Sequence, residues 1–340
     1  MAYDRDLDRR NARLSEPARR MISADNRRIV LVGARGWIGR SLLTLLHEAL
    51  GPGDLMRRVV CFGSAEATVT LDDGTNLSQR PLSELSALDT MPSVLFHLAF
   101  LTKDKVAGMD ADTYAQTNRA LSRSVLEALD PIGVDRLFIA SSGAAAFADD
   151  PAAASDLRLY GALKRADEDL FADWAEAQPA HRRAVIARIY SVSGPYINKH
   201  ETYALASFIA DALAGRPIEV RAPMRVLRSY VAVRELISFV FAQLLAGSGP
   251  AALRIDTGGE ALELGEVAQV VADLVSGQVR RRPITEAGDN RYIGDDAAWQ
   301  RALAGFGMAP VPLADQLAET MAYLAREHAP RRLVKRVTRW

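Results

Sequence analysis

Ile29-Val30-Leu31-Val32-Gly33-Ala34-Arg35-Gly36-Trp37-Ile38-Gly39 decides the fold. Four consecutive apolar residues, three of them β-branched, read as a short strand buried on both faces. Three glycines spaced three apart follow at once, and a helical stretch runs on through Leu50. Glycines there permit a tight turn and let the main chain approach a pyrophosphate. The new helix then offers free N–H groups and the positive end of its dipole. Strand, glycine turn and helix in this order predict a dinucleotide site. The alternative reading of the same residues is a structural glycine turn.

Working outward, Arg58-Val59-Val60-Cys61-Phe62, Val94-Leu95-Phe96-His97-Leu98, Leu137-Phe138-Ile139-Ala140 and residues 184–189 read as further strands. Residues 114–129 and 160–176 read as helices between them. Such alternation predicts an α/β fold, a Rossmann-type doubly wound parallel sheet, over residues 28–190. Beyond 190, Gly194-Pro195, Arg216-Pro217, Ala222-Pro223 and Gly249-Pro250 cut the chain into shorter pieces. Residues 191–330 are expected to form mainly a smaller C-terminal substrate lobe, closing a cleft over the carboxyl ends of the strands. Residues 1–27 read as a polar arm, flexible or loosely helical. Residues 331–340 read as a basic tail, either solvated or a docking segment.

The 340 residues carry 42 Lys and Arg against 42 Asp and Glu, so no overall charge excess points to nucleic acid. With 49% hydrophobic and 25% charged residues, the composition excludes fibrous and disordered classes. Cys61 is the only cysteine, which excludes an intramolecular disulfide and a cysteine-built zinc site. The five histidines, His47, His97, His181, His200 and His328, have no ligand spacing, so no metal is expected. No apolar run reaches the roughly 18 residues of a membrane helix, and no apolar leader stands near Met1. A cytoplasmic location with no membrane contact is expected.

Two further features carry chemistry. Tyr160-Gly161-Ala162-Leu163-Lys164 places a phenol and an ammonium one helical turn apart on one face. The ammonium favours the phenolate and lowers the phenol pKa toward working pH. Ser141-Ser142 ends a strand, where a hydroxyl can bond a substrate oxygen.

Together these residues resemble the extended short-chain dehydrogenase/reductases, specifically the NAD-dependent epimerase/dehydratase family acting on nucleotide sugars. The resemblance covers about residues 28–326. It takes in the glycine turn, His97-Leu98-Ala99, Asn118, the Ser-Ser strand end and Tyr160-x-x-x-Lys164. It continues through Arg188 to Pro195, Arg228 to Leu236, and Ile255-Asp256-Thr257-Gly258-Gly259. It implies that Tyr160 is the general acid/base and that Lys164 tunes it and bonds the nicotinamide ribose. Ser142 would bond the same sugar oxygen as Tyr160. Gly33, Arg35, Gly36, Trp37, Ile38, Gly39, Ser64, Leu98, Ala99 and Asn118, with Tyr160 and Lys164, would bind the cofactor. Arg228 would grip the diphosphate of the nucleotide sugar. The implied activity is NAD(P)-dependent reduction of a keto group on such a sugar. A 4-epimerase with retained NAD and a non-catalytic NAD(P)-binding protein are the alternatives. The resemblance also implies a homodimer paired through residues 114–129 and 160–176, with apolar contacts from Leu121, Val125, Leu163, Leu170 and Phe171.

The departures from the family pattern matter. A one-residue shift would put Gly143 at the catalytic hydroxyl position. The Asp-Glu pair of the 4,6-dehydratases is Gly143-Ala144 here, so that dehydration is not expected. Ser191 stands where the family usually has Asn. No acid follows the second strand before Glu66 to bond the adenosine ribose. Arg35 and Ser64 are then placed for a 2′-phosphate, and NADP(H) is expected over NAD(H). NAD(H) is the alternative if Glu66 takes the acidic role.

Overall fold

The computed structural model describes residues 13–102, 108–198 and 203–328. The first twelve residues, His200 and the basic tail 331–340 lie outside the described residues. In chain order the first half comprises α1 (Glu16–Ala24), β1 (Arg28–Val32), α2 (Trp37–Arg58), β2 (Val59–Gly63), β3 (Ala67–Thr70), β4 (Asn76–Pro81), β5 (Ser93–His97), α3 (Ala111–Leu129), β6 (Val134–Ser142), α4 (Ser155–Glu176) and β7 (Arg183–Ile189). The second comprises β8 (Val192–Ser193), α5 (Ala204–Leu213), β9 (Ile218–Val220), β10 (Arg225–Arg228), β11 (Val231–Ala232), α6 (Val233–Leu245), β12 (Ala252–Asp256), β13 (Leu262–Glu263), α7 (Leu264–Val275), β14 (Val279–Arg281), β15 (Asp289–Tyr292), α8 (Asp296–Ala304) and α9 (Leu313–His328).

Eight strands form the main sheet in the order β12-β7-β6-β5-β1-β2-β4-β3. Every pairing is parallel except the β3–β4 hairpin at one edge. The chain leaves β1 toward β2 and returns to β5 on its other side. Strand order therefore reverses at β1 and β5, and a crevice opens beyond their carboxyl ends. Alternate residues serve opposite faces, as a pleated strand requires. Leu31, Phe96 and Phe138 pack with α2 and α6, while Val30, Leu95 and Leu137 pack with α3 and α4.

Several sequence expectations meet a different outcome. Of the two readings of the arm, the helical one holds over Glu16–Ala24, and this helix is docked rather than loose. Ser15 caps α1 and donates its main-chain N–H to Ser238 Oγ at 2.9 Å, and Ala18 and Ile22 are fully buried. Beyond residue 190 the chain returns to the first sheet twice. β12 joins the main sheet beside β7, and α6 lies beneath that sheet, with Phe241 4.9 Å from Phe96. The sequence of α6 shows why: it is apolar nearly all round, so it must be covered on every side. Three of the five residues expected at a dimer contact are absorbed by the protomer itself. Val125 and Phe171 sit in the core under the sheet, and Leu163 packs on Tyr114 and Ala115. The apolar faces of α3 and α4 cover their own sheet.

The docked α1 has a measurable consequence. Replacing fully buried Ile22 by Ala should lower unfolding stability by about 2–4 kcal/mol in a denaturant titration. A loss under about 0.5 kcal/mol would mean that the helix does not contribute to the fold.

Candidate active site

The glycine turn lies over the switch point. Gly33 adopts φ 102, and a β-carbon on it would stand 2.8 Å from the Ala99 nitrogen. A β-carbon on Gly39 would stand 2.4 Å from the Gly33 carbonyl oxygen. The turn is thus pressed onto Leu98-Ala99 below it and onto α2 beside it. Gly36 is the N-cap of α2 and brings no side chain to it, so the first N–H groups of the helix face the crevice uncapped. This arrangement fits the pyrophosphate of a dinucleotide. Trp37 and Ile38 follow in the first turn, both half-buried; Trp37 packs edge-on against Tyr203, 5.8 Å away.

Arg35 and Ser64 are exposed, on the turn and just past β2. At the tip of β2 a β-carbon on Gly63 would meet the Gln79 amide at 2.4 Å. Gln79 donates to the Ala65 carbonyl at 2.9 Å. A neutral amide therefore fills the space into which an acid at residue 63 would project.

Tyr160 and Lys164 lie on α4, which is pinned against the carboxyl end of β6. A β-carbon on Gly161 would stand 2.1 Å from the Ala144 carbonyl, and Arg165 donates to the Ala145 carbonyl at 2.7 Å. Lys164 is 6% exposed and donates to the Ala140 carbonyl at 2.9 Å. Burial pulls its pKa down to about 8, against the opposing pull of Asp167 and Glu168. Phe100 packs against both: its ring centre is 3.8 Å from Lys164 Nζ and 5.5 Å from the Tyr160 ring. Phe100 directly follows His97-Leu98-Ala99, which is the signal by which the sequence could have flagged it.

The two serines at the end of β6 diverge. Ser141 donates to fully buried Glu168, which also pairs with Arg188 at 2.7 Å. That pair fastens β6 and β7 to α4. Ser142 faces the other way, where its hydroxyl accepts from the Ala144 N–H at 3.2 Å and lies 3.0 Å from the Tyr292 hydroxyl. Tyr292 comes from the smaller lobe. It is paired in register with Arg228, which donates to Leu227 O at 2.8 Å and Asn290 Oδ1 at 3.0 Å. Ser142 and Arg228 thus meet around a residue that the sequence reading did not single out.

Asn118 is 1% exposed, and its amide brackets the segment after β5. It accepts from Leu101 N at 2.8 Å and donates to the carbonyls of Leu101 and Tyr114. It holds the loop that carries Phe100. His97 is sealed at the end of β5 against Phe171, and burial drives its pKa down to about 3, helped by nearby Lys164. It is a neutral imidazole at physiological pH. Among the described residues no group of three or more His, Cys, Asp or Glu could hold a metal ion, and no helix is long and apolar enough to cross a membrane.

A Rossmann-type sheet with this glycine turn and a Tyr-x-x-x-Lys helix defines the class. Residues 29–255, more than half of the chain, match the profile of the NAD dependent epimerase/dehydratase family, and the chain belongs to that family. UDP-glucuronic acid decarboxylase 3 of Arabidopsis thaliana is 27% identical over 131 residues, which is 38% of this chain and 37% of that protein. The chain thus spans little more than a third of the length of the curated relatives it matches. Among solved structures, MoeE5 in complex with UDP-glucuronic acid and NAD aligns with a TM-score of 0.66 at 23% identity, over 88% of this chain and 99% of that one. The UDP-N-acetylglucosamine 4-epimerase of Methanobrevibacter ruminantium M1 aligns at 0.67 and 17% identity, over 89% and 99%. The UDP-glucose 4-epimerase of Thermus thermophilus, complexed with NAD, aligns at 0.64 and 20% identity, over 89% and 100%. These likenesses establish the fold.

The buried Lys164 charge sets a pH-dependent test. Its folded pKa of about 8 lies below the unfolded value, so folding is penalised by about 3 kcal/mol at pH 7. Between pH 8 and 10 the unfolded chain holds the proton that the folded one has lost, and the penalty shrinks with rising pH. Cofactor-free Lys164→Met should therefore be more stable than wild type at pH 7, with the gap closing toward pH 10. A variant less stable than wild type at pH 7 would contradict the buried-charge account.

Proposed function

We propose that this chain is a nucleotide-sugar ketoreductase that uses NADP(H). The observation that carries the reading is the Tyr160–Lys164 pair, pinned at the carboxyl end of the sheet beside the glycine turn, with the ammonium sealed from water. The bound nicotinamide supplies the hydride that reduces the sugar carbonyl. Tyr160 delivers the proton that the sugar oxygen gains as its carbon is reduced, and the nearby Lys164 charge stabilises the phenolate left behind. Ser142 orients the same oxygen. Arg228 offers its guanidinium to the diphosphate, for which a planar fork suits phosphate oxygens. Uncapped N–H groups at the start of α2 hold the cofactor pyrophosphate.

The NADP(H) preference rests on the neutral tip of β2. Gln79 occupies the space an acid at residue 63 would need, and Arg35 is exposed on the turn opposite. Residue 63 thus brings no carboxylate to repel a 2′-phosphate, and the next acid along the chain is the exposed Glu66. Arg35→Ala should weaken NADPH binding about tenfold to a hundredfold by calorimetry and leave NADH binding unchanged. NADH bound by wild type as tightly as NADPH would defeat this preference. Tyr160→Phe keeps the ring and loses the proton. Its kcat should fall by about 10²–10⁴, with cofactor affinity held within a few-fold; activity near wild type would remove Tyr160 from its role.

A 4-epimerase with retained NAD is the second reading. It is favoured by the two 4-epimerases among the structural neighbours above, one of them complexed with NAD. One experiment separates the readings. Purified protein is incubated with a panel of nucleotide sugars and their 4-keto forms, following nicotinamide absorbance and product identity together. Ketoreduction consumes NADPH one for one with product. Epimerisation gives product with no net absorbance change. Neither signal would leave a non-catalytic binding protein.

A further inference from the structure

A phenol from the smaller lobe reaches the serine hydroxyl at the end of β6. A β-carbon on Gly143 would stand 2.4 Å from the Tyr190 ring, so residue 143 has no room for a serine or threonine side chain. The Tyr190 ring that fills this space is itself fixed: its hydroxyl donates to Asp256 at 3.1 Å. Tyr190 then props Tyr292, with ring centres 5.0 Å apart. On the far side, the Tyr292 ring stacks over Phe147 at 6.0 Å and an interplanar angle of 20°. Arg228 lies 5.9 Å from the same ring and is its register partner on β10. Held on three sides, the Tyr292 hydroxyl reaches Ser142 Oγ at 3.0 Å. This is the hydrogen bond that joins the smaller lobe to the candidate catalytic serine.

We propose that Tyr292 is the positioning residue for Ser142. Its phenol fixes the serine hydroxyl on the sugar oxygen, and this role rests on the proposed hydride transfer to a nucleotide-linked sugar. The Arg228↔Tyr292 register pair ties two ends of one substrate together. A diphosphate drawn to Arg228 and a sugar oxygen drawn to Ser142 are sensed by adjacent strands of one small sheet. Docking of the smaller lobe is thereby a condition for an oriented serine.

The test is a double-mutant cycle on the full chain, with Tyr292→Phe, Ser142→Ala and the double variant. Phe keeps the ring stack, and thermal melts report whether each variant folds. With a saturating 4-keto nucleotide sugar and NADPH varied, Tyr292→Phe should lower kcat about fivefold to tenfold and leave the KM for NADPH unchanged. In the Ser142→Ala background, the same change should have no further effect. Full kcat in Tyr292→Phe would overturn the proposal, as would an undiminished loss in the Ser142→Ala background. The cycle is read a second time in the affinity of the NADPH-bound protein for UDP-glucuronic acid, by calorimetry. If wild type binds this nucleotide but never turns over, the proposed function falls while the coupling in affinity still decides Tyr292. If wild type binds no nucleotide sugar, both proposals fall.

Discussion

The close approach of main chain to main chain at the glycine turn is the constraint on which the site depends. Gly39 lies so near the Gly33 carbonyl, and Gly33 so near Ala99, that any β-carbon would force the elements apart. This contact seats the uncapped start of α2 directly over the end of β5. The residue after Ala99 is Phe100, which packs against both Tyr160 and Lys164. A second close approach, Gly161 on Ala144, fixes α4 against β6. Three backbone contacts open only to glycine thus set the glycine turn and the candidate catalytic pair relative to each other.

The smaller lobe is tied to this frame by buried polar bonds. Glu235 on α6 accepts from the Trp299 indole and from the Val311 N–H, both at 2.6 Å. Burial pushes its pKa up, and the two bonds offset part of that effect. Removing the carboxylate would leave two buried donors without a partner, a costly state in a dry interior. Arg234 beside it pairs with Glu319 of α9 at 2.8 Å. The lobe that delivers Arg228 and Tyr292 is therefore held to the same helix that supports the main sheet from beneath.

Local features were legible in the sequence, and long-range ones were not. Ile29 to Gly39 announces its strand, turn and helix because each depends on neighbouring residues alone. Tyr160 and Lys164 share a face by helical spacing, which is equally local. The β3–β4 hairpin was not anticipated, although Asp73-Gly74 between its strands is a turn signal. Residue 190 reads as a boundary because the Gly-Pro pairs begin there, yet β12 and α6 return to the first sheet under a demand for burial. Val125 and Phe171 show a further limit: a helix pattern reveals an apolar face but not whether sheet or partner covers it. Gln79 and Tyr292 carry no motif, and Tyr190 stands at an unspecified position of the Arg188–Pro195 stretch. Their places follow from strand register and from glycines at 63 and 143 that admit large neighbours.

The role proposed for the Tyr160–Lys164 site is hydride transfer to a nucleotide-linked sugar. The most direct measurement gives the purified chain NADPH carrying deuterium at the transferable nicotinamide position, together with a UDP-linked 4-keto-hexose. The product sugar is then weighed by mass spectrometry. A single deuterium is expected on the reduced sugar carbon, absent with Tyr160→Phe. An unlabelled sugar recovered from wild-type protein saturated with both ligands would contradict it.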